Sequence, residues 1–158
     1  QHDDYFYDLC DEAGLVVWAE IPYISRHMPE ANDNAVSQMK ELIYQQYNHA
    51  CIVMWGVSNE ITMYHKHKKD MLAFHKKLND LVHKTDPTRL TTLAVFAMAG
   101  PMNKTAHITD VVAWNLYLGW YVPGFFLNDL WISLFHTLYP KRPLGYSEYV
   151  ADCMPQIH

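Results

Sequence analysis

The feature that most constrains the fold is an alternation of short apolar runs with longer amphipathic segments. The runs are rich in β-branched and aromatic residues, and most are apolar throughout, which is typical of parallel strands covered on both faces. Five such runs occur, at residues 15–19, 52–57, 90–97, 111–117 and 143–147. Runs and amphipathic segments alternate as in βα units, so the sequence predicts an α/β fold with five parallel strands.

Three of the amphipathic segments predict helices. Apolar residues at helical spacing predict a helix over about 34–48, with an N-cap among residues 32–34. The segment between the second and third runs has an apolar stripe opposite five lysines, which predicts a helix that ends at Asp86-Pro87. The face of this helix that carries its lysines and histidines is expected to be solvated. Leucines at 127, 130, 134 and 138 predict the third helix. No repeat or linker interrupts the pattern, so residues 1–158 are interpreted as one piece of a single domain.

Polar residues at the ends of the apolar runs favour a barrel over a doubly wound sheet. Glu20 follows the first run, Asn59 and Glu60 follow the second, Asn115 lies in the fourth, and Glu148 follows the fifth. In a (β/α)8 barrel, functional residues collect at the carboxyl ends of the strands. No run is followed by a glycine-rich loop of the kind that binds nucleotide phosphates. The sequence therefore predicts a (β/α)8 TIM barrel, of which five strands are an incomplete part.

Composition excludes several classes of partner. The net charge is −5, and the longest basic cluster is Lys66, Lys68 and Lys69, so nucleic acid is a poor partner. No apolar stretch has the roughly 18 to 20 residues of a membrane helix, so no membrane partner is expected. The three cysteines, Cys10, Cys51 and Cys153, form no C-x-x-C pair and are interpreted as small buried residues.

Two glutamates are candidates for chemistry. Glu60 and Glu148 each follow a strand-like run, and a pair of carboxylates is the minimum set for hydrolysing a glycosidic bond. From position alone, they could equally be capping or salt-bridged glutamates. Aromatic residues near the strand ends strengthen the case, because aromatic rings stack on sugars. Trp55 and Trp114 are expected inside the core, and Trp120 and Tyr121, next to Gly119 in a loop, are expected to be exposed to ligand.

The histidines invite a metal hypothesis that their spacing does not support. His65, His67, His75 and His83 raise the hypothesis because a His-x-His pair can chelate a metal. However, His67, His75 and His83 recur every eight residues, which rotates successive side chains by about 80° on a helix, so they do not converge. The sequence predicts neither a metal site nor a cofactor.

Four segments together resemble the catalytic barrel of glycoside hydrolase family 2, which includes β-galactosidases, β-glucuronidases and β-mannosidases. They are residues 5–22, 48–61, 112–121 and 147–152. The resemblance runs the length of the chain and places its strands at barrel positions 3 to 7. It implies that strands 1, 2 and 8 and the flanking β-sandwich domains belong to a larger parent enzyme, and that the isolated chain self-associates.

The resemblance also implies a role for each site residue. Glu60 matches the general acid/base and Glu148 the nucleophile of a retaining, double-displacement mechanism. Asn59 is expected to bind the sugar 2-hydroxyl, Tyr117 to hydrogen-bond the nucleophile, and Asn115 to line the site. Trp120 and Tyr121 lie beyond them, and Glu20 matches a further carboxylate of the family.

The substrate implied is a terminal β-linked sugar. Ile61 favours a β-galactosidase, because glucuronidase-type members usually carry proline after the Asn-Glu pair. The alternatives are a β-glucuronidase of the same family and a non-catalytic carbohydrate-binding or structural remnant.

Overall fold

The computed structural model describes residues 1–61, 63 and 68–149 and contains one five-stranded parallel sheet. His65, His67 and Cys153, considered above, lie outside the described residues. The strands are β1 (Val17–Glu20), β2 (Ile52–Asn59), β3 (Leu90–Phe96), β4 (Val111–Asn115) and β5 (Leu144–Glu148). The α-helices are α1 (Asp4–Ala13), α2 (Asn32–Gln46), α3 (Lys68–Thr85) and α4 (Phe126–Leu138).

The strand order follows the chain order, β1-β2-β3-β4-β5, and every neighbouring pair is parallel. A doubly wound sheet reverses its strand order at a switch point, and the described strands contain no such reversal. The sheet curls into a half-barrel, which confirms the predicted barrel class.

The core lies between the sheet and the helices that cover it. Trp55 and Trp114 are fully buried, as predicted. The Trp114 ring meets Trp131 of α4 edge-on at 5.2 Å and Phe135 at 6.0 Å. Cys10 and Cys51 are buried and free, which agrees with their interpretation as small core residues.

Helix α1 is absent from the predicted elements. The Asp3 side chain caps its start by accepting a hydrogen bond from the Tyr5 N–H at 2.9 Å, and Gly14 ends it with a left-handed φ of 66°. Its inward face buries Tyr7 and Cys10. Helix α2 begins at Asn32, and the prediction of an N-cap among residues 32–34 is wrong. A short 3-10 turn, Pro29–Ala31, leads directly into the helix and makes Ala31 the cap.

Helix α3 ends where Asp86-Pro87 predicted, and its lysines are exposed. The expected solvated position of the histidines is wrong at His75, which is fully buried. Its Nε2 lies 2.8 Å from Ser58 Oγ and its Nδ1 lies 2.8 Å from the Met71 carbonyl oxygen. Burial lowers the pKa of His75 to about 4, so the ring is neutral at pH 7.

Helix α4 is present, but its leucine stripe does not enter the core of the described residues. Leu130 is 61% exposed, and Leu134 and Leu138 are each 45% exposed. Contact with the sheet comes from Trp131 and Phe135 on the other side of the helix. None of the described helices combines the length and apolar character needed to span a membrane.

Candidate active site

Four predicted site residues are the last residues of their strands. Glu20 ends β1, Asn59 ends β2, Asn115 ends β4 and Glu148 ends β5. Because all these strands are parallel, their carboxyl ends share one edge of the sheet. The functional residues suggested by the sequence therefore lie on one rim.

Asn115 forms hydrogen bonds with Glu60 and with Ser147, the neighbour of Glu148. It is buried, and its Nδ2 donates to Asn59 Oδ1 at 3.1 Å and to Glu60 Oε1 at 3.0 Å. Its Oδ1 accepts a hydrogen bond from Ser147 Oγ at 2.6 Å. Ser147 directly precedes Glu148, and Asn115 pairs with Glu148 in the β4–β5 register. One amide thus fixes the Glu60 carboxylate relative to the end of β5.

Glu148 has its own oriented donor. Tyr117 Oη donates to Glu148 Oε2 at 2.6 Å, so the predicted hydrogen bond is present. Both side chains are half-buried. A hydrogen bond to an ionised group is shorter and stronger than one between neutral groups, so Tyr117 restricts the orientation of this carboxylate.

Glu60 lies one residue beyond β2 in a left-handed backbone conformation, with φ of 50°. Its N–H donates to the Ala94 carbonyl oxygen of β3 at 2.9 Å. The preceding residue, Asn59, is held by the loop after β1: its N–H donates to the Tyr23 carbonyl oxygen, and its carbonyl oxygen accepts from the Ser25 N–H, each at 2.9 Å. Hydrogen bonds to both neighbouring segments therefore maintain an unfavourable backbone conformation at a residue expected to be catalytic.

Glu20 shares a cavity with Glu148. The cavity has a volume of about 350 Å³, and its lining includes Tyr7, Trp18, Glu20, Asn59, Ser147 and Glu148. Burial, and then the negative charge of Glu148, raise the pKa of Glu20 above its usual value. The charge of Glu148 therefore acts on Glu20 across the cavity and favours the neutral form of Glu20.

Trp120 and Tyr121 do not belong to the described lining of that cavity. They lie in the loop after β4, where Trp120 is 47% exposed and Tyr121 is 66% exposed, as expected for both. The Tyr121 ring meets the Tyr117 ring edge-on, with centroids 5.2 Å apart. This contact places the exposed aromatic pair next to the residue that holds Glu148.

Comparison with protein families decides the classification. Residues 2–157 match the family described as "Glycosyl hydrolases family 2, TIM barrel domain". The chain belongs to glycoside hydrolase family 2. The family resemblance in the four segments is thereby confirmed.

The relatives of this family 2 chain include proteins named β-glucuronidase and proteins named β-galactosidase. It is 35% identical over 156 residues to a β-glucuronidase of Bacteroides fragilis, which aligns 93% of this chain and 21% of the relative. Among solved structures, it is similar to an FMN-binding β-glucuronidase from Facaelibacterium prausnitzii L2-6, with TM-score 0.92, 41% identity, and coverage of 98% of this chain and 24% of that one. It is also similar to a putative β-galactosidase from Bacteroides fragilis, with TM-score 0.89, 33% identity, and coverage of 98% and 22%.

This family 2 chain spans 21% to 24% of the length of these three proteins.

Trp18 and Ser147 are among the cavity residues that were not identified as site residues from the sequence. Trp18 lies two positions before Glu20 in β1, and the two-residue period of a strand puts both side chains on one face. Ser147 lies next to Glu148, and its link to Asn115 crosses between strands. Alternation within β1 could have indicated Trp18, whereas only the β4–β5 register identifies Ser147.

Proposed function

We propose that the chain supplies the reacting carboxylates of a retaining β-glycosidase, with Glu148 as nucleophile and Glu60 as general acid/base. The observation that carries the proposal is the pair of oriented carboxylates on one rim. Tyr117 holds Glu148 at 2.6 Å, and Asn115 holds Glu60 at 3.0 Å. Capping or salt-bridged glutamates would need cationic or backbone N–H partners, whereas these two accept hydrogen bonds from the neutral side chains of Asn115 and Tyr117.

The reaction has two displacements. In the first, a Glu148 oxygen attacks the anomeric carbon while Glu60 gives its proton to the glycosidic oxygen, so the carbon–oxygen bond to the leaving group breaks as the glycosyl–enzyme ester forms. In the second, Glu60 takes a proton from water, whose oxygen attacks the same carbon and releases Glu148. This mechanism requires the two carboxyl groups to stand about 5 to 5.5 Å apart, whereas an inverting pair needs roughly 6.5 to 9.5 Å.

The neighbouring residues have roles that follow from their hydrogen bonds. Asn59 Oδ1 accepts from Asn115, which orients the Asn59 amide so that its NH₂ group can donate to the sugar 2-hydroxyl. Glu20, whose pKa is raised by burial, lies in the same cavity as Glu148 and can form a hydrogen bond with a sugar hydroxyl. Trp120 and Tyr121 offer exposed faces for the part of the substrate beyond the cleaved bond.

The cavity chemistry favours a neutral sugar such as a β-galactoside. Two carboxylates, Glu20 and Glu148, line the cavity, and no lysine or arginine is among the described residues that line it. An anionic sugar would therefore meet the like charge of Glu148 without a lysine or arginine of this described lining to offset it. A β-glucuronide is the second candidate, favoured by the names of the β-glucuronidases that the chain resembles.

The test uses Glu60→Ala and Glu148→Gln in the complete gene product, with Glu41→Gln on the exposed face of α2 as a matched control. With aryl glycosides that have good leaving groups, Glu60→Ala should retain the first step, and azide should restore turnover by attacking the glycosyl–enzyme ester. Glu148→Gln should be inactive on every substrate, and Glu41→Gln should match the wild type. Parallel assays with aryl β-galactosides and β-glucuronides identify the sugar. Equal losses for both site variants on all substrates, or an inactive wild type that still binds sugar, would contradict the proposal.

A further inference from the structure

A second cluster of reactive side chains lies at the opposite end of the sheet. Asp11 is on α1, while His49 and Cys51 are in the turn that joins α2 to the amino-terminal end of β2. One carboxylate oxygen of Asp11, one ring nitrogen of His49 and the Cys51 Sγ all lie within 4.8 Å of one another. The glycosidase proposal uses none of these residues.

The cluster is held in place before any ligand binds. Asp11 Oδ1 accepts from the Cys51 N–H at 2.6 Å, and Asp11 Oδ2 lies 2.7 Å from His49 Nδ1. Arg89 fixes the turn from the other side, because its guanidinium donates to the carbonyl oxygens of Tyr47, His49 and Ile52 at 2.7 to 2.9 Å. Little chain entropy remains to be lost when these side chains bind a common partner.

The three side chains of the cluster differ in solvent exposure and in charge. Cys51 is buried, whereas the His49 and Asp11 side chains are 16% and 30% exposed, which gives a small ion a route from solvent. Burial and the neighbouring Asp11 carboxylate raise the pKa of the Cys51 thiol to about 11. The hydrogen bond from the Cys51 N–H and then the contact with His49 lower the pKa of Asp11, so its carboxylate is ionised at pH 7.

We propose that Asp11, His49 and Cys51 form a binding site for Zn²⁺ or a similar borderline divalent cation. Thiolate, imidazole and carboxylate are the three ligand types that Zn²⁺ takes in proteins, whereas Ca²⁺ and Mg²⁺ prefer oxygen ligands alone. Tetrahedral bonds of about 2.0 to 2.3 Å would place the ligand atoms roughly 3.3 to 3.8 Å apart, which the cluster reaches with small side-chain movements. A water molecule fills the fourth position.

Binding is an acid–base and coordination step without electron transfer. The Cys51 S–H bond breaks, its proton leaves to solvent, and the sulfur electron pair forms the bond to the metal. His49 Nδ1 carries the proton of its hydrogen bond to the Asp11 carboxylate, so this proton moves to Nε2 through solvent before Nδ1 can bind the metal. Bonds from Nδ1 and from an Asp11 oxygen to the metal then replace the hydrogen bond. The cation then links α1 to the start of β2, which stabilises the fold at the end of the sheet away from the glycosidase rim.

The experiment titrates metal-stripped complete gene product with Zn²⁺ and, separately, with Co²⁺. Zn²⁺ should raise the midpoint of thermal unfolding, and Co²⁺ should give a thiolate-to-metal charge-transfer band. Cys51→Ser should abolish that band and weaken Zn²⁺ binding more than about 100-fold, because even the outer partners of metal ligands are worth about 10- to 100-fold. His49→Gln, which keeps the buried thiol, should weaken binding similarly and serves if Cys51→Ser does not fold.

Cys10→Ser is the matched control, because Cys10 is also buried and lies on α1 next to Asp11 but is not a ligand in this proposal. It should keep both the band and the affinity. Absence of a Co²⁺–thiolate band in the wild type, or equal loss of binding in Cys10→Ser and Cys51→Ser, would overturn the proposed site.

Discussion

Tyr117→Phe removes one hydroxyl group from the proposed active site and leaves the ring in place. The hydroxyl donates to Glu148 Oε2 at 2.6 Å, which is the short distance typical of a charged acceptor. The ring, which meets Tyr121 edge-on at 5.2 Å, is retained in phenylalanine. The substitution therefore tests the orientation of the nucleophile with little change to packing.

The size of the effect follows from the hydrogen bond. A hydrogen bond to a charged group contributes about 1.5 to 3 kcal/mol, and each 1.36 kcal/mol of transition-state stabilisation changes the rate about tenfold. If Glu148 depends on Tyr117 throughout the first displacement, kcat/KM should fall about 10- to 150-fold on every glycoside that the wild type cleaves.

The assay measures kcat/KM on aryl β-glycosides for Tyr117→Phe and for Tyr146→Phe in the same background. Tyr146 precedes the nucleophile in β5, and its Oη is buried without a hydrogen-bond partner among the described residues. Tyr146→Phe should therefore remain within about twofold of the wild type, since no hydrogen bond is lost. A Tyr117→Phe enzyme within twofold of the wild type, or equal losses in both variants, would refute the role of Tyr117.

The remaining predictions concern stability and association. Gly56→Ala should lower the free energy of unfolding by about 1 to 3 kcal/mol, because the new Cβ would overlap Trp18 Nε1 and lie 2.5 Å from Glu20 Cβ. Gly145→Ala is the control and should leave the free energy of unfolding unchanged, because the space around Gly145 is open. Equal urea midpoints for the two variants would contradict this reasoning. The free energy of unfolding should fall as the pH drops from 6.5 toward 4, because His75 in the unfolded chain takes up a proton that the buried ring, with a pKa of about 4, does not. If His75→Gln leaves the slope of unfolding free energy against pH unchanged, another group is responsible. The 158-residue chain alone should self-associate in sedimentation velocity, because β1 and β5 each have an unpaired edge among the described strands and α4 exposes leucines; a monodisperse monomer would contradict this.

The strands could be predicted from sequence because a parallel strand covered on both faces must be apolar along its length. The run at 52–57 lies within β2, Ile52–Asn59, and the run at 90–97 contains β3, Leu90–Phe96. The first run was shifted, because Leu15 and Val16 follow the Gly14 cap and are exposed before β1 begins. Hydrophobicity alone does not distinguish the exposed exit of a helix from the start of a buried strand.

Helix α1 was not predicted from the sequence although it is amphipathic, and several of its apolar residues are exposed. Tyr5 and Leu9 are 67% and 44% exposed, while Tyr7 and Cys10 are buried. Its end signals, Asp3 and Gly14, were readable in the sequence and would have been the better guide.

The rim of the site could be predicted, but its internal hydrogen bonds could not. Glu60 and Glu148 were identified because they follow apolar runs, a local signal. The bond from Asn115 to Glu60 joins residues 55 positions apart, and it depends on how β2, β3 and β4 align. His75 was misassigned for the same reason: its partner Ser58 lies on β2, and only the packing of α3 on the sheet brings the two together.

The left-handed backbone at Glu60 sets stability against activity. A non-glycine residue in this conformation costs about 1 to 2 kcal/mol, and asparagine or glycine adopts it more readily than glutamate. Selection for thermal stability alone would therefore favour Glu60→Asn or Glu60→Gly, and either change removes the carboxylate that our mechanism requires. Directed evolution that screens this protein for heat resistance without an activity screen should accumulate inactive sequences at this position.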